Sequence, residues 1–85
     1  MTPKWLCAHK WNGPRLAPWQ PLGTGRMHAH AEAWCYRCNG GPIEWRELTL
    51  DEWNQPAIRA AEEASMLDVV EERMKRESRQ WWRIL

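Results

Sequence analysis

The stretch "AWCYRCNGG", Ala33–Gly41, decides how the chain folds, because it places two cysteines at C-x2-C spacing just before two glycines. This order is typical of a zinc knuckle, a tight turn that brings two thiolates to one ion. Glycine favours such a turn because it tolerates positive φ and close backbone approach. A tetrahedral site needs two further ligands. The stretch therefore predicts that a second ligand pair comes from elsewhere in the chain.

The second ligand pair is predicted in "WLCAHKW", where Cys7 and His9 are two residues apart. We expect this segment to be a strand, on which residues i and i+2 face the same way. The predicted ligands of one structural Zn²⁺ per chain are then Cys7, His9, Cys35 and Cys38. His28 or His30 could replace His9, but both lie on the same arm as the knuckle. Using either would leave the N-terminal strand tied by Cys7 alone.

Length and cysteine content favour a metal-stabilised protein of a reducing compartment. A chain of 85 residues supports only a marginal core, and chains this short often add a structural metal or a partner subunit. Three cysteines cannot all pair within one chain. The N-terminal "MTPKWLCAHKW" lacks the apolar core of a secretion signal, and no run approaches the ~20 apolar residues of a membrane span. We predict a cytoplasmic protein, which for a viral protein means the host cytoplasm.

The chain divides into two segments of different composition. All five glycines and five of the six prolines precede residue 43. Residues 1–48 are predicted to form a zinc-ribbon-like module with a short β-hairpin, its strands being "KWLCAHKW" and "MHAHAEAWCY". The long connection 12–25 is predicted as a loop whose ends the metal holds together. With residues 49–85 read as helical, the fold class is a small zinc-stabilised α+β fold with a long C-terminal helix.

The helical segment has recognisable boundaries. In "TLDE", Thr49 and Glu52 form the capping-box pattern that starts a helix. Pro56 cannot continue that helix, so a break is predicted near residues 54–55. A long amphipathic helix then runs from about Pro56 to Arg83, rich in alanine and in favourable Glu–Lys and Glu–Arg pairs.

The long helix carries an apolar repeat of 3.5 residues, which is typical of a coiled-coil seam. Its positions are Leu50, Trp53, Ala57, Ala60, Ala64, Leu67, Glu71, Met74, Ser78, Trp81 and Leu85. The N-terminal half is too small to cover such a helix, and the tail "QWWRIL" is costly to leave in water. We therefore predict a protein partner or a homodimer through this helix. The predicted partner-binding residues are Leu67, Val70, Met74, Trp81, Trp82 and Leu85.

The cysteine and histidine pattern resembles a known group of small proteins. "WLCAHKW" followed by "CYRCNGG" is similar to the single-zinc ribbon proteins of bacteriophage genomes, written C-x-H-x-W…C-x2-C-x-G. The matching residues are Cys7, His9, Trp11, Cys35, Cys38 and Gly40. The resemblance covers about the first 41 residues and not the helix. It implies a small accessory protein that acts by binding.

Three functions are consistent with these features. The first is a non-enzymatic zinc-binding protein-interaction module, such as a phage-encoded regulator or inhibitor of a larger host machine. The alternative is a transcription-associated nucleic-acid-binding ribbon, in which basic residues among tryptophans contact phosphates and bases. Its candidate residues are Lys4, Lys10, Arg15, Arg26 and Arg37. A net charge of +1 makes the electrostatic attraction modest. The third is a structural component of a homo-oligomer or virion.

An enzymatic function is not predicted. "HAE" followed by "CYRC" superficially matches the H-x-E…C-x2-C signature of zinc deaminases. Only Ala33 and Trp34 separate Glu32 from Cys35, which is too short for the two helices and the strand of that site. A site with four protein ligands also leaves no position for substrate or water. No small-molecule substrate and no membrane partner are expected.

Overall fold

The computed structural model describes residues 7–84, with the side chains of residues 7–78. Four strands precede two helices: β1 (Trp11–Leu16), β2 (Gln20–Gly23), β3 (Arg26–Cys35), β4 (Ile43–Thr49), α1 (Leu50–Trp53) and α2 (Pro56–Ile84). The structure confirms a small α+β fold in which an antiparallel sheet is followed by a C-terminal helix. The sheet has four strands rather than the two that were predicted.

The longest strand, β3, pairs with all three others, and every pairing is antiparallel. β4 pairs with residues 26–32 of β3. β1 pairs with residues 31–35 at the end of β3, and β2 pairs with residues 26–28 at its start. Glu32 pairs with both Arg15 and Ile43, and a strand residue has only two edges. β1 and β2 therefore share the edge of β3 that lies opposite β4.

The alternation of side chains along β3 gives the sheet two different faces. The inner face carries Met27, Ala29, Ala31, Ala33 and Cys35, all of which are buried. The three alanines form one core with Met66 and Val70 of α2. Successive strand residues point to opposite faces, so His28, His30 and Trp34 lie on the other side. β3 and α2 therefore share one core.

The open face is the side of the sheet that α2 does not cover. We define it by His28, His30 and Trp34 of β3 with Ile43 and Trp45 of β4. The β4 residues belong to it because Ile43 is paired with Glu32 and Trp45 with His30. Trp45 is 56% exposed and Ile43 42% exposed, which makes this face the main exposed apolar surface of the sheet.

The predicted helix boundaries are confirmed. The Thr49 hydroxyl accepts a hydrogen bond from the Glu52 N–H (3.2 Å), and the Glu52 carboxylate accepts one from the Thr49 N–H (3.0 Å). These reciprocal bonds form the capping box. The helix is interrupted at residues 54–55, and α2 starts at Pro56. The missing N–H of proline is harmless at a first helical position, where it would have no partner within the helix.

The predicted seam on α2 is wrong in its register. Ala57, Ala60 and Ala64 are exposed, whereas Met66 and Val70 are fully buried against the sheet. The prediction that Val70 binds a partner is therefore wrong, because it packs in the chain's own core. Leu67 and Met74 are partly buried against the same core. Of the other predicted partner residues, Leu85 and the side chains of Trp81 and Trp82 lie outside the described residues.

The predicted strand and loop before β3 are also corrected. Residues 7–10 are not in a strand, and β1 begins at Trp11. The proline-rich connection instead contains β1 and β2, which pair with β3. Gly13 shows why such a sequence can join a sheet. It lies at a bulge with φ +110, where an added Cβ would approach the Glu32 carbonyl oxygen to 3.0 Å.

β4 contacts α2 through polar side chains. Glu44 and Arg46 point towards the helix, and the Arg46 Nε donates to the Glu62 carboxylate at 3.2 Å. Arg73 of α2 lies 3.9 Å from the Glu44 carboxylate. Burial opposes ionisation of Glu44, but hydrogen bonding and charge from Arg46, with charge from Arg73, outweigh it and lower the pKa of Glu44.

The outer edge of β4 is covered by the chain's own side chains. Arg73 donates to the Ile43 carbonyl (2.9 Å), and the Trp45 N–H donates to the Glu44 carboxylate (3.2 Å). The Trp45 carbonyl accepts from Arg46 (3.1 Å). The Thr49 N–H is used by the capping box. These contacts occupy backbone groups that an exposed edge strand would offer to another strand.

Candidate metal centre

Four candidate ligands converge at one end of the sheet. The ligand atoms of Cys7, His9, Cys35 and Cys38 all lie within 4.8 Å of one another. The sulfurs of Cys7 and Cys35 are 3.6 Å apart, and the Cys38 sulfur is 3.5 Å from Nδ1 of His9. A tetrahedral site with Zn–S and Zn–N bonds of ordinary length places sulfurs about 3.8 Å apart and sulfur and nitrogen about 3.6 Å apart. The cluster is therefore compatible with a metal ion held at its centre.

The knuckle brings Cys35 and Cys38 together at the end of β3. The Cys35 N–H donates to the Gly40 carbonyl (2.8 Å), and the Asn39 N–H donates to the Cys35 carbonyl (3.1 Å). At Gly41 the chain returns against β3 so closely that an added Cβ would lie 1.8 Å from the Ala33 carbonyl oxygen. Glycine is therefore required there by the close approach of two backbones.

Cys7 and His9 reach the site from the irregular segment before β1. Their convergence was predicted from strand geometry, but the segment is held by individual hydrogen bonds instead. The Tyr36 N–H donates to the Lys10 carbonyl (3.1 Å), and the Lys10 N–H donates to the Cys35 sulfur (3.4 Å). These bonds place the segment beside the knuckle and bring both predicted ligands to it.

The surroundings of the thiols favour one thiolate and oppose a second. Burial opposes ionisation of Cys35, but hydrogen bonds from the backbone N–H groups of Cys38, Arg37 and Lys10 and from His9 lower its pKa to about 6. Burial, reinforced by the neighbouring Cys35 and Cys38, raises the pKa of Cys7 to about 12. A cation would remove that conflict by binding all three sulfurs as thiolates. The donor set therefore fits a metal ion.

The two alternative histidines do not join the cluster. His28 and His30 lie on the open face beside Trp45. The His28 ring stacks on Trp45 with ring centroids 5.6 Å apart, and the His30 ring is tilted against it with centroids 4.7 Å apart. Both point away from the inner face to which Cys35 belongs. Among the three histidines, the structure brings only His9 to the cysteines.

Three of the basic residues predicted to bind nucleic acid already contact carboxylate or carbonyl groups of the chain itself. Arg15 lies 3.7 Å from Glu32, and Arg26 lies 3.1 Å from Glu47. Arg37 donates to the Ala8 carbonyl at 3.0 Å. Lys10 is exposed, and Lys4 lies outside the described residues.

Trp45 is the residue that sequence reasoning overlooked. It lies at the centre of the open face, against both histidines, and no role was predicted for it. The available signal was the alternation of Ile43 and Trp45 with charged residues in "IEWRELT". That alternation marks a strand whose apolar side faces outwards.

Comparison with protein families, curated proteins and solved structures finds no match to the chain. Within the described residues, neither helix combines the length and apolar character that crossing a membrane requires. The geometry of the cluster and of the open face is thus the basis for assigning a function.

Proposed function

We propose that the protein is a non-enzymatic zinc-binding module that acts by binding another protein. The observation that carries this proposal is a closed set of four protein ligands on a chain that exposes Trp34, Ile43 and Trp45 on one face of its sheet. Three thiolates and one imidazole suit Zn²⁺ better than harder ions. Four protein ligands fill a tetrahedral shell, which is the arrangement of structural rather than catalytic zinc.

The zinc would stabilise the fold by adding metal–ligand bonds between segments that are otherwise joined by noncovalent contacts alone. Cys7 and His9 lie outside the sheet, and their segment is tied to it by hydrogen bonds, by packing of Cys7 against Cys35 and by stacking of His9 on Trp11. An ion bound to both ligand pairs would fix this segment to the end of β3. Free thiols and zinc binding both suit a reducing compartment such as the cytoplasm.

The open face is our candidate docking surface, and its occupant is a protein surface of low net charge. Exposed tryptophans are typical anchors of protein interfaces. The charges around this face are arranged in the pairs Arg15–Glu32 and Arg26–Glu47, so it presents little net positive field. This balance favours a protein over nucleic acid, whose binding depends on uncompensated cations. A regulator or inhibitor of a larger protein machine is consistent with such a surface.

Native mass spectrometry of the untagged chain tests the metal. We expect one zinc per chain, lost in Cys35→Ser and in His9→Ala because each removes a ligand. His28→Ala and His30→Ala are the matched controls and should retain the ion, because both residues lie on the open face. Zinc-free wild-type protein, or loss of zinc in the control variants, would overturn the assignment.

Photocrosslinking tests the docking surface. A benzophenone side chain is placed at Ile43 on the open face, with Ala60 on the exposed side of α2 as the control position. We expect a protein to be captured from Ile43 and not from Ala60, and the purified pair to bind more weakly after Trp45→Ala. Capture from both positions alike would contradict the proposal. So would a gel shift of single-stranded DNA or RNA that appears at about 50 mM salt and disappears at high salt.

A further inference from the structure

The imidazole of His9 is held on three sides. Its Nδ1 faces the Cys38 sulfur at 3.5 Å, and its Nε2 lies 3.8 Å from a carboxylate oxygen of Glu77 on α2. Trp11 stacks on the ring with centroids 4.5 Å apart and planes 30° apart. The His9 side chain is only 2% exposed, so its orientation is set by these three neighbours.

The two ring nitrogens have different tasks in a metal-binding histidine. One nitrogen binds the ion through its lone pair, and the other carries the proton and donates it to a carboxylate, a carbonyl or water. At His9 the nitrogen that faces the sulfurs is Nδ1, and the nitrogen that faces a carboxylate is Nε2. This arrangement matches the carboxylate–histidine–metal relay.

We propose that Glu77 is a positioning residue of the metal centre, an inference that rests on the proposed zinc binding. When zinc is bound, its carboxylate accepts the Nε2–H of His9 and so holds the tautomer that presents Nδ1 to the ion. The distance of 3.8 Å is longer than a direct hydrogen bond. A bound metal would withdraw electron density from the ring and make the Nε2–H a stronger donor, which would favour a direct hydrogen bond to Glu77.

The same contact couples the metal to the C-terminal part of α2. Next to Glu77, the hydroxyl of Ser78 accepts a hydrogen bond from the indole N–H of Trp11 at 3.2 Å. Two consecutive helix residues therefore contact the metal centre: Glu77 lies near His9, and Ser78 is hydrogen-bonded to Trp11. Zinc binding and docking of this part of α2 stabilise each other, because linkage is reciprocal.

Metal affinity and histidine NMR test this role together. Zinc affinity is measured by competition with a chelator in wild type, Glu77→Ala and Glu77→Gln. Glu71→Gln is the matched control, because Glu71 is exposed on the same helix and pairs with Lys75. We expect Glu77→Ala to weaken zinc binding about 10–100-fold, with one zinc per chain retained. The zinc affinity of Glu77→Gln should lie between those of wild type and Glu77→Ala, because the amide oxygen of glutamine is a weaker acceptor than a carboxylate. The zinc affinity of Glu71→Gln should match that of wild type.

Ring ¹⁵N spectra of the zinc form supply a readout that a purely structural role of Glu77 would not change. We expect Nδ1 of His9 to be metal-bound and the Nε2 proton to exchange slowly in wild type and faster in Glu77→Ala. Unchanged affinity and unchanged proton exchange in Glu77→Ala would overturn this inference while leaving zinc binding intact. A wild-type chain that binds no zinc would overturn the proposed function as well.

Discussion

The two faces of β3 carry opposite kinds of side chain. On the inner face, Ala29, Ala31 and Ala33 are at most 2% exposed. On the open face, the alternate positions of β3 carry His28, His30, Glu32 and Trp34, with Trp45 of β4 beside them. Small side chains let a helix approach a sheet closely, whereas the large aromatic rings lie on the side away from α2, where Trp34 and Trp45 are exposed and Trp45 packs against both histidines.

This difference shows why so small a chain benefits from a metal. A buried alanine contributes a single methyl group, and each buried carbon of that kind is worth about 0.8 kcal/mol. The helix–sheet core therefore depends on a few larger side chains, chiefly Met66 and Val70. Chains with so little buried apolar surface commonly need a further link, such as a structural metal.

The strongest test of the comparison is to remove the largest side chain that packs against the inner face. Met66 is fully buried between α2 and the alanines of β3. Met66→Ala should lower the free energy of unfolding by about 2–5 kcal/mol, measured by urea denaturation of the zinc-loaded protein. Ile43→Ala on the open face is the control and should cost well under half as much. Equal losses would show that the two faces do not differ in packing.

Adding a larger side chain to the inner face should lower the free energy of unfolding less than removing Met66 does. Ala31 is fully buried, so Ala31→Leu would push α2 away from the sheet and lower the unfolding free energy by about 1–3 kcal/mol. His30→Leu places the same side chain at the preceding position, on the open face. It should change the free energy of unfolding by about 0.5 kcal/mol or less. A tolerated leucine at position 31 would mean that α2 is not closely packed there.

The polar contact between β4 and α2 should show in the acid dependence of stability. Because the pKa of Glu44 is lower in the folded chain, its stabilising effect is complete above the unfolded-state pKa and is lost as pH falls through the folded-state pKa. Glu44→Gln should cost up to about 1 kcal/mol at neutral pH. The difference from wild type should shrink in acid. A difference that is constant with pH would exclude this ion pair as its source.

The smallest effect on stability is expected at the centre of the open face. Trp45 is more than half exposed and contacts mainly the two histidines, so Trp45→Ala should cost less than about 1 kcal/mol. Thermal unfolding of the zinc-loaded variant measures this. A larger loss would mean that the open face is part of the stabilising core rather than a surface available for binding.

The sequence predicted those parts of the fold that have a strong local signal. The alternation in β3, the capping box at Thr49 and the break before Pro56 all lie within a few residues of chain. The four candidate ligands could also be named, because C-x-H and C-x2-C spacings constrain which residues can meet. The choice of His9 followed from needing a ligand pair on each side of the site.

Other parts depend on contacts between distant residues and could not be predicted locally. β1 and β2 lie in a sequence rich in proline and glycine, and only pairing with β3 makes them strands. β4 was overlooked because its inward positions, Glu44 and Arg46, are charged and meet charged residues of α2. The helix register was wrong because exposed alanines were counted as apolar contacts, although alanine is equally at home on a helix surface.

The covered edge of β4 limits how this protein can associate with others. A free edge strand recruits any extended chain, since backbone groups are the same in every sequence. Here side chains of Glu44, Arg46, Glu52 and Arg73 already occupy several of those groups. Strand-by-strand growth into larger sheets is thereby hindered at this edge. Association through side chains on the open face is instead selective, because it depends on which residues the other surface presents.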